Sequence, residues 1–210
     1  MFPKLSDFFV SYGSYHHHPV NQLIHIIFIP QIVFTIMCML KHTAPLYVIN
    51  GIEIDWGFIL LAFLLFAYYN IDFVTAVICT FFYGGLWYLS SQIYADYQSR
   101  GELDQHFRIF LIQHIVSWIS QFIGHGVFEK RNPALVDNLL LTLVAPAFVV
   151  LEILFKFGYK KEIFDDCEGR IKANIKDFQE SKASAKKANW ALYVLENINI
   201  CDRRIHIVWE

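Results

Sequence analysis

The acidic and basic residues of this 210-residue chain are gathered at a few points and leave long stretches without any. No Asp, Glu, Lys or Arg occurs from Phe8 to Leu40, from Trp56 to Ile71, from Phe73 to Ala95, from Ile109 to Phe128, or from Asn138 to Leu151. A helix that crosses a bilayer needs about 20 mainly apolar residues, within a range of about 17–25. The Phe73 and Ile109 stretches qualify outright, the first once its polar start is trimmed, and the other two with their flanks. Tyr68, Tyr69, Trp87, Tyr88, Tyr94 and Tyr97 gather near the ends, as interfacial aromatics do.

Composition agrees. Charged residues are 17% of the chain, against about 25% in soluble domains, and hydrophobic ones are 56%. A chain this short has too much surface for its volume to hide that surplus from water. The expected fold is all-α: an integral membrane helical bundle of four to five hydrophobic helices with an amphipathic C-terminal helix. It divides into a membrane-embedded bundle over 1–160 and a polar helical tail over 161–210. A net charge of −2 and no basic stripe exclude nucleic acid as a partner. Cys38, Cys79, Cys167 and Cys201 are too scattered for a disulfide framework and read as packing residues.

The first 22 residues read as a polar entry ending in Pro19 and Asn21, good helix-starting chemistry. Helix one is expected over Asn21–Leu40, kinked by Pro30, followed by a loop over Lys41–Asp55 with Asn50-Gly51 turn chemistry. Helices two and three, Trp56–Ile71 and Phe73–Tyr94, form a tight hairpin. A polar link over Asp96–Arg108 leads to helix four, Ile109–Phe128, and a fifth apolar segment covers Leu135–Phe157. Beyond Gly158, Phe164, Cys167, Ile171, Ile175 and Phe178 recur at spacings of 3, 4, 4 and 3, an amphipathic stripe. Its plainest reading is a solvated helix resting on the bundle or the membrane surface.

The nine histidines carry the chemistry. Ionisable side chains inside a membrane are costly and face a bundle interior or a wet cavity. Four crossings return the chain to its starting side, so the His16–His25 region and the His125–Glu129 region share one face and can meet. Imidazoles suit Fe, Zn, Cu and Ni, and three ligands with open positions describe a catalytic site. Glu129, four residues after His125, is a ligand, an acceptor behind a ligand, or a base. Read one by one, His25 and His125 are equally hydrogen-bonded bundle residues, and His17, His18, His42, His106 and His206 are solvated or interfacial. His114 lies about three turns from His125 and is too distant to share its metal. The repeated histidine boxes of two-iron desaturases, a Gly-x-Ser-x-Gly nucleophile and a nicotinamide motif are all missing.

Tyr15-His16-His17-His18-Pro19-Val20-Asn21-Gln22-Leu23-Ile24-His25, followed by Phe28-Ile29-Pro30, resembles the N-terminal motif of the 2-hydroxy fatty acid dioxygenases, endoplasmic-reticulum enzymes of phytosphingosine breakdown. Trp118 to Leu135, with Gln121, Gly124-His125-Gly126, Glu129 and Pro133, resembles the second motif of that family. The likeness runs from about Leu5 to Lys161.

The resemblance implies an Fe(II)-dependent dioxygenase of the endoplasmic-reticulum membrane, multi-pass. Such an enzyme uses O2 to shorten a long-chain 2-hydroxy fatty acid by one carbon. It places the family pattern on His16, Asn21, His25, Gln121, His125, Glu129, Pro133 and Asp137. The ligands to Fe(2+) are then His16, His25 and His125, and Asn21, Gln121 and Glu129 belong to the catalytic machinery. A 2-hydroxy acid chelates iron through its carboxylate and α-oxygen, and R-CHOH-COOH plus O2 giving R-COOH, CO2 and water balances without a reductant. The competing reading is a non-enzymatic multi-span membrane protein, lipid-binding or scaffolding, whose histidines are structural.

Overall fold

The computed structural model describes residues 5–50, 52–130 and 139–207. The helices in chain order are α1 (Leu5–Tyr15), α2 (Pro19–Leu40), α3 (Trp56–Tyr69), α4 (Phe73–Ser99), α5 (Leu103–Ile123), α6 (Leu139–Lys156) and α7 (Lys161–Ile207). A π-helical turn, Gly124–Glu129, prolongs α5. The chain forms two compact units, Met1–Cys167 and Glu168–Glu210, and the second holds the remainder of α7.

Pro19 explains the break between α1 and α2. A residue before proline is driven out of the α region, and His18 is extended at φ −75°, ψ 127°. The proline then sits in the first turn of α2, where its missing N–H is no loss, and His18 Nδ1 caps that turn by accepting from Val20 N at 3.2 Å. The expectation of a polar entry is corrected here. Residues 5–15 are helical, and Phe8, Phe9, Val10 and Tyr12 are buried. They face α6, with Phe9 edge-on to Phe155 at 4.7 Å and Tyr12 stacked on Phe148 at 5.0 Å.

On α2, Asn21, His25, Ile29, Val33 and Met37 are buried at intervals of four, one ridge along the helix. This ridge turns inward, and its lower part joins Leu61, Leu64 and Tyr68 of α3, Ala76, Cys79 and Tyr83 of α4 and Ala147 of α6 in one apolar core. α5 runs antiparallel to α2. Asn21 donates to Glu129 at 3.1 Å, Gln113 donates to Gln31 at 3.1 Å, and His42 meets His106 at 2.9 Å, so partners descend along α5 and its π-helical turn as they ascend along α2. An even number of passes between the start of α2 and the end of α5 therefore brings those two points together.

Several boundaries differ from the sequence expectation. The Lys41–Asp55 loop contains a short antiparallel pair, β1 (Tyr47–Ile49) and β2 (Ile52–Ile54), turning at Asn50 with φ 51°, so the fold is not purely α. The link expected over Asp96–Arg108 shrinks to residues 100–102, because its polar residues continue α4 and start α5. His42 and His106 are not simply solvated: His106 is fully buried among Tyr94, Tyr97 and Phe110, and bonded to His42. His17 is exposed as expected.

Charges inside this unit are paired. Asp55 caps α3 by accepting from Phe58 N at 2.7 Å, accepts from Trp87 Nε1 at 3.1 Å and is ion-paired with Lys41, both side chains being at most 3% exposed. Asp72 caps α4 through Thr75 N at 3.0 Å and is ion-paired with Lys160. Burial would raise its carboxyl, but hydrogen bonds from Lys160 and Thr75 outweigh that and hold it below the usual carboxylate value. Burial would likewise lower the Lys160 ammonium, and the bond to Asp72 raises it instead.

Among the described residues α2 and α4 are long and apolar enough to cross a membrane, or up to three spans if α6 and the helix after it are counted as one bent span. The four to five spans expected from the sequence are not reached by that measure. Large apolar side chains face outward, with Phe66 66%, Phe73 69% and Phe81 78% exposed. Exposed apolar surface of this extent marks a membrane or partner-binding face. Within Glu168–Glu210, Ile171, Ile175 and Phe178 are the shielded side of a helix carrying i,i+4 pairs such as Glu168 with Lys172 at 2.9 Å.

Candidate metal centre

His16, His25 and His125 converge in the interior, each at most 5% exposed, and one ring nitrogen from each lies within 4.8 Å of the other two. Their ring centroids are 4.3, 4.8 and 4.9 Å apart. Among the described residues they form the group of His, Cys, Asp or Glu side chains close enough to hold a metal ion. His16 comes from the turn before α2, His25 from the inward ridge of α2, and His125 from the π-helical turn. A π turn widens the helix by one residue and is common where function needs a side chain re-aimed. Lys130, left-handed at φ 53°, ends it.

Backbone carbonyls fix the outer faces of two rings. His16 Nδ1 lies 2.7 Å from Tyr12 O, and His25 Nδ1 lies 2.8 Å from Asn21 O, each one helical turn back. A carbonyl only accepts, so each Nδ1 carries the hydrogen and each Nε2 carries a lone pair. Those two Nε2 atoms face one another at 3.0 Å. Two neutral imidazoles so arranged repel, whereas a cation between them relieves the repulsion. The separation is also what two neighbouring nitrogens take on one ion with bonds of about 2.1 Å. The donor set and its outer hydrogen bonds thus fit a metal ion.

Glu129 lies outside the group of three histidines. Its Oε1 accepts from His17 N at 2.7 Å, His18 N at 2.7 Å and Asn21 Nδ2 at 3.1 Å. A carboxylate accepting three donors clamps the α1–α2 turn, and with it His16, to the end of α5. None of these three donors is a ring N–H of His16, His25 or His125, so the contact is a positioning one and matches none of the three roles open in the sequence. Asn21 is fully buried, gives Glu129 its side-chain amide and gives His25 its carbonyl, so it holds two parts of the centre together.

Gly124 makes that approach possible. A Cβ there would overlap Asn21 Oδ1 and lie 3.3 Å from Asn21 Cγ and 3.6 Å from Ile24 Cδ1. Gln121 is buried, one turn before His125. His114 is remote from the centre, as its spacing predicted. It takes a hydrogen bond from Trp118 Nε1 at 3.0 Å and meets Thr35 at 2.8 Å. Pro133 and Asp137 lie outside the described residues, as does the side chain of His206.

A cavity of about 190 Å³ opens beside the three imidazoles, its wall made by Ile29, Ile36, Leu60, Leu64, Phe122 and other side chains of α2, α3, α5 and α6. From His25 to Ile36 the α2 wall extends about 16 Å at 1.5 Å per residue. Tyr12 was not singled out in the sequence, although it stands four residues before His16 and stacks on that ring at 4.0 Å and 18°. Its i,i+4 spacing was the available signal.

The chain matches the family model described as Mpo1-like, 2-hydroxy-palmitic acid dioxygenase Mpo1-like, over residues 2–157. It is similar to the 2-hydroxy-palmitic acid dioxygenase MPO1 of Saccharomyces cerevisiae, 39% identical over 149 residues, which is 70% of this chain and 78% of the relative. No solved structure matches.

Proposed function

The chain belongs to the Mpo1-like family of 2-hydroxy-palmitic acid dioxygenases, and from that premise we propose that it is an Fe(II)-dependent dioxygenase that shortens long-chain 2-hydroxy fatty acids by one carbon. It works from a multi-pass position in the endoplasmic-reticulum membrane, with four to five apolar segments in the bilayer. The observation that carries this reading is the pair of Nε2 lone pairs of His16 and His25 facing one another at 3.0 Å, with His125 beside them.

His16, His25 and His125 hold the ion, and when bound it supplies the activation of O2 and of the chelated acid. Tyr12 O and Asn21 O hold the first two imidazoles in the tautomer that presents the Nε2 lone pair to the ion. Glu129 and Asn21 are positioning residues that hold the turn carrying His16 against α5. The apolar cavity takes the acyl chain from its head group onward and keeps water from the reacting end. An oily cavity between helices also gives a lipid-soluble substrate direct entry from the bilayer.

Purified protein supplied with Fe(II), O2 and 2-hydroxypalmitate is expected to form the acid one carbon shorter with no added reductant. Palmitate itself should not react, since it lacks the α-oxygen needed for bidentate chelation. Equal turnover of both acids, or a strict need for a nicotinamide donor, would contradict the proposal. A protein that takes up no iron and turns over neither acid would be a lipid-binding or scaffolding component.

A further inference from the structure

The wall of the cavity is almost wholly apolar, and Gln121 is an exception to it. Its side chain is 6% exposed, and its Nε2 has no hydrogen-bond partner among the described residues. Trp118 Nε1, another donor on the same stretch of α5, is already committed to His114 at 3.0 Å. A buried amide donor left without an acceptor is costly, and such groups persist where a ligand completes them. Gln121 stands four residues before His125, on the same face of the helix and therefore at the head-group end of the cavity.

The ligand that the functional reading supplies is a 2-hydroxy acid. Chelation through the α-oxygen and one carboxylate oxygen leaves the second carboxylate oxygen in an apolar cavity, where a charged acceptor requires a donor. We propose that Gln121 donates from Nε2 to that second oxygen and so recognises the acid group of the substrate. The inference rests on the dioxygenase reading and deepens it. A neutral amide suits this place, because a lysine or arginine there would compete with the three imidazoles' own ion for the carboxylate. Thr142 is another polar side chain on the wall, but it comes from α6 and not from the helical turn before His125.

The test is binding, measured by calorimetry without oxygen on the full chain in detergent, loaded with Fe(II), with 2-hydroxypalmitate and its methyl ester as probes. Gln121→Leu should bind the acid about 10- to 100-fold more weakly, the span expected for a hydrogen bond to a charged group. It should bind the ester as the unaltered protein does and retain its iron by elemental analysis. Gln121→Asn, shorter by one methylene, should lose the acid likewise, and Gln113→Leu, two turns earlier on α5, should lose nothing. Acid affinity within twofold of normal in Gln121→Leu would overturn the assignment, and so would equal loss of acid and ester or the same loss in Thr142→Val. Failure of the unaltered protein to bind the hydroxy acid would instead bring down the dioxygenase reading, and this assignment with it.

Discussion

Gly124→Ala tests whether the close approach of α2 and the end of α5 builds the centre. The new Cβ overlaps Asn21 Oδ1 and meets Asn21 Cγ at 3.3 Å. Asn21 cannot swing aside cheaply, being fully buried with its amide bonded to Glu129 at 3.1 Å. If the side chain turns, a buried hydrogen bond to a carboxylate is lost, at about 1.5–3 kcal/mol. If the helices part instead, overpacking costs about 1–3 kcal/mol. Replacing a helical glycine by alanine returns about 1 kcal/mol of propensity, so a net destabilisation of at most about 2 kcal/mol is expected. The larger effect is on geometry. A shift of about 1 Å between His125 and the His16–His25 pair is enough to cost about 100-fold in rate, and iron should be held more weakly. Gly126→Ala is the matched control, since among the described residues nothing lies within 4 Å of a Cβ there. Turnover, iron content and denaturant unfolding of both variants in the same detergent form the assay. Normal iron affinity and turnover in Gly124→Ala would refute the claim that this contact sets the site.

His16→Ala, His25→Ala and His125→Ala should each lose iron and turnover together by elemental analysis and product assay, while the exposed His17→Ala keeps both. Glu129→Ala should spare the three ligands yet reduce iron occupancy, because it leaves the His17 and His18 amides and the Asn21 side chain without their acceptor. Asp55→Ala should cost about 3–5 kcal/mol in unfolding experiments, the usual result of stripping one partner from a buried ion pair, here Lys41. For Asp72 and Lys160 the signs are opposite. The lowered Asp72 value gives stability that is present above the ordinary carboxylate pKa and lost as pH falls through the lowered one, and the raised Lys160 value gives stability lost only as pH climbs past it. Thermal unfolding against pH should therefore show a plateau between those limits, and Asp72→Asn should lower that plateau and flatten its acid edge, because the group whose protonation causes the loss is gone.

The parts of the site that follow from counting were legible in the sequence. Charge-free stretches located the apolar helices, their parity put His25 and His125 at one end, and the two long motifs singled out the three imidazoles. What lay hidden depends on contacts between distant segments. Nothing local to Glu129 says that its carboxylate reaches back over a hundred residues to the amides of His17 and His18. Phe8, Phe9 and Tyr12 lie in a segment too short to read as a span, and only the presence of Phe148 and Phe155 makes their burial worthwhile. His106 looked solvated because charged neighbours surround it in sequence, whereas the helix turns it alone toward His42 and the aromatic pair Tyr94 and Tyr97.

The clamp between Glu129 and the His17 and His18 amides joins points 112 and 111 residues apart, and this bears on how the protein is made. At a synthesis rate of about 5–20 residues per second, α1 and the His16 turn leave the ribosome roughly 5–20 seconds before the residue that will fasten them exists. During that interval the buried face of α1 has no α6 to rest on, and His16 and His25 have no third imidazole. The nascent chain must therefore carry an apolar helix and an incomplete histidine group through that interval, with the face of α1 that α6 will cover still bare.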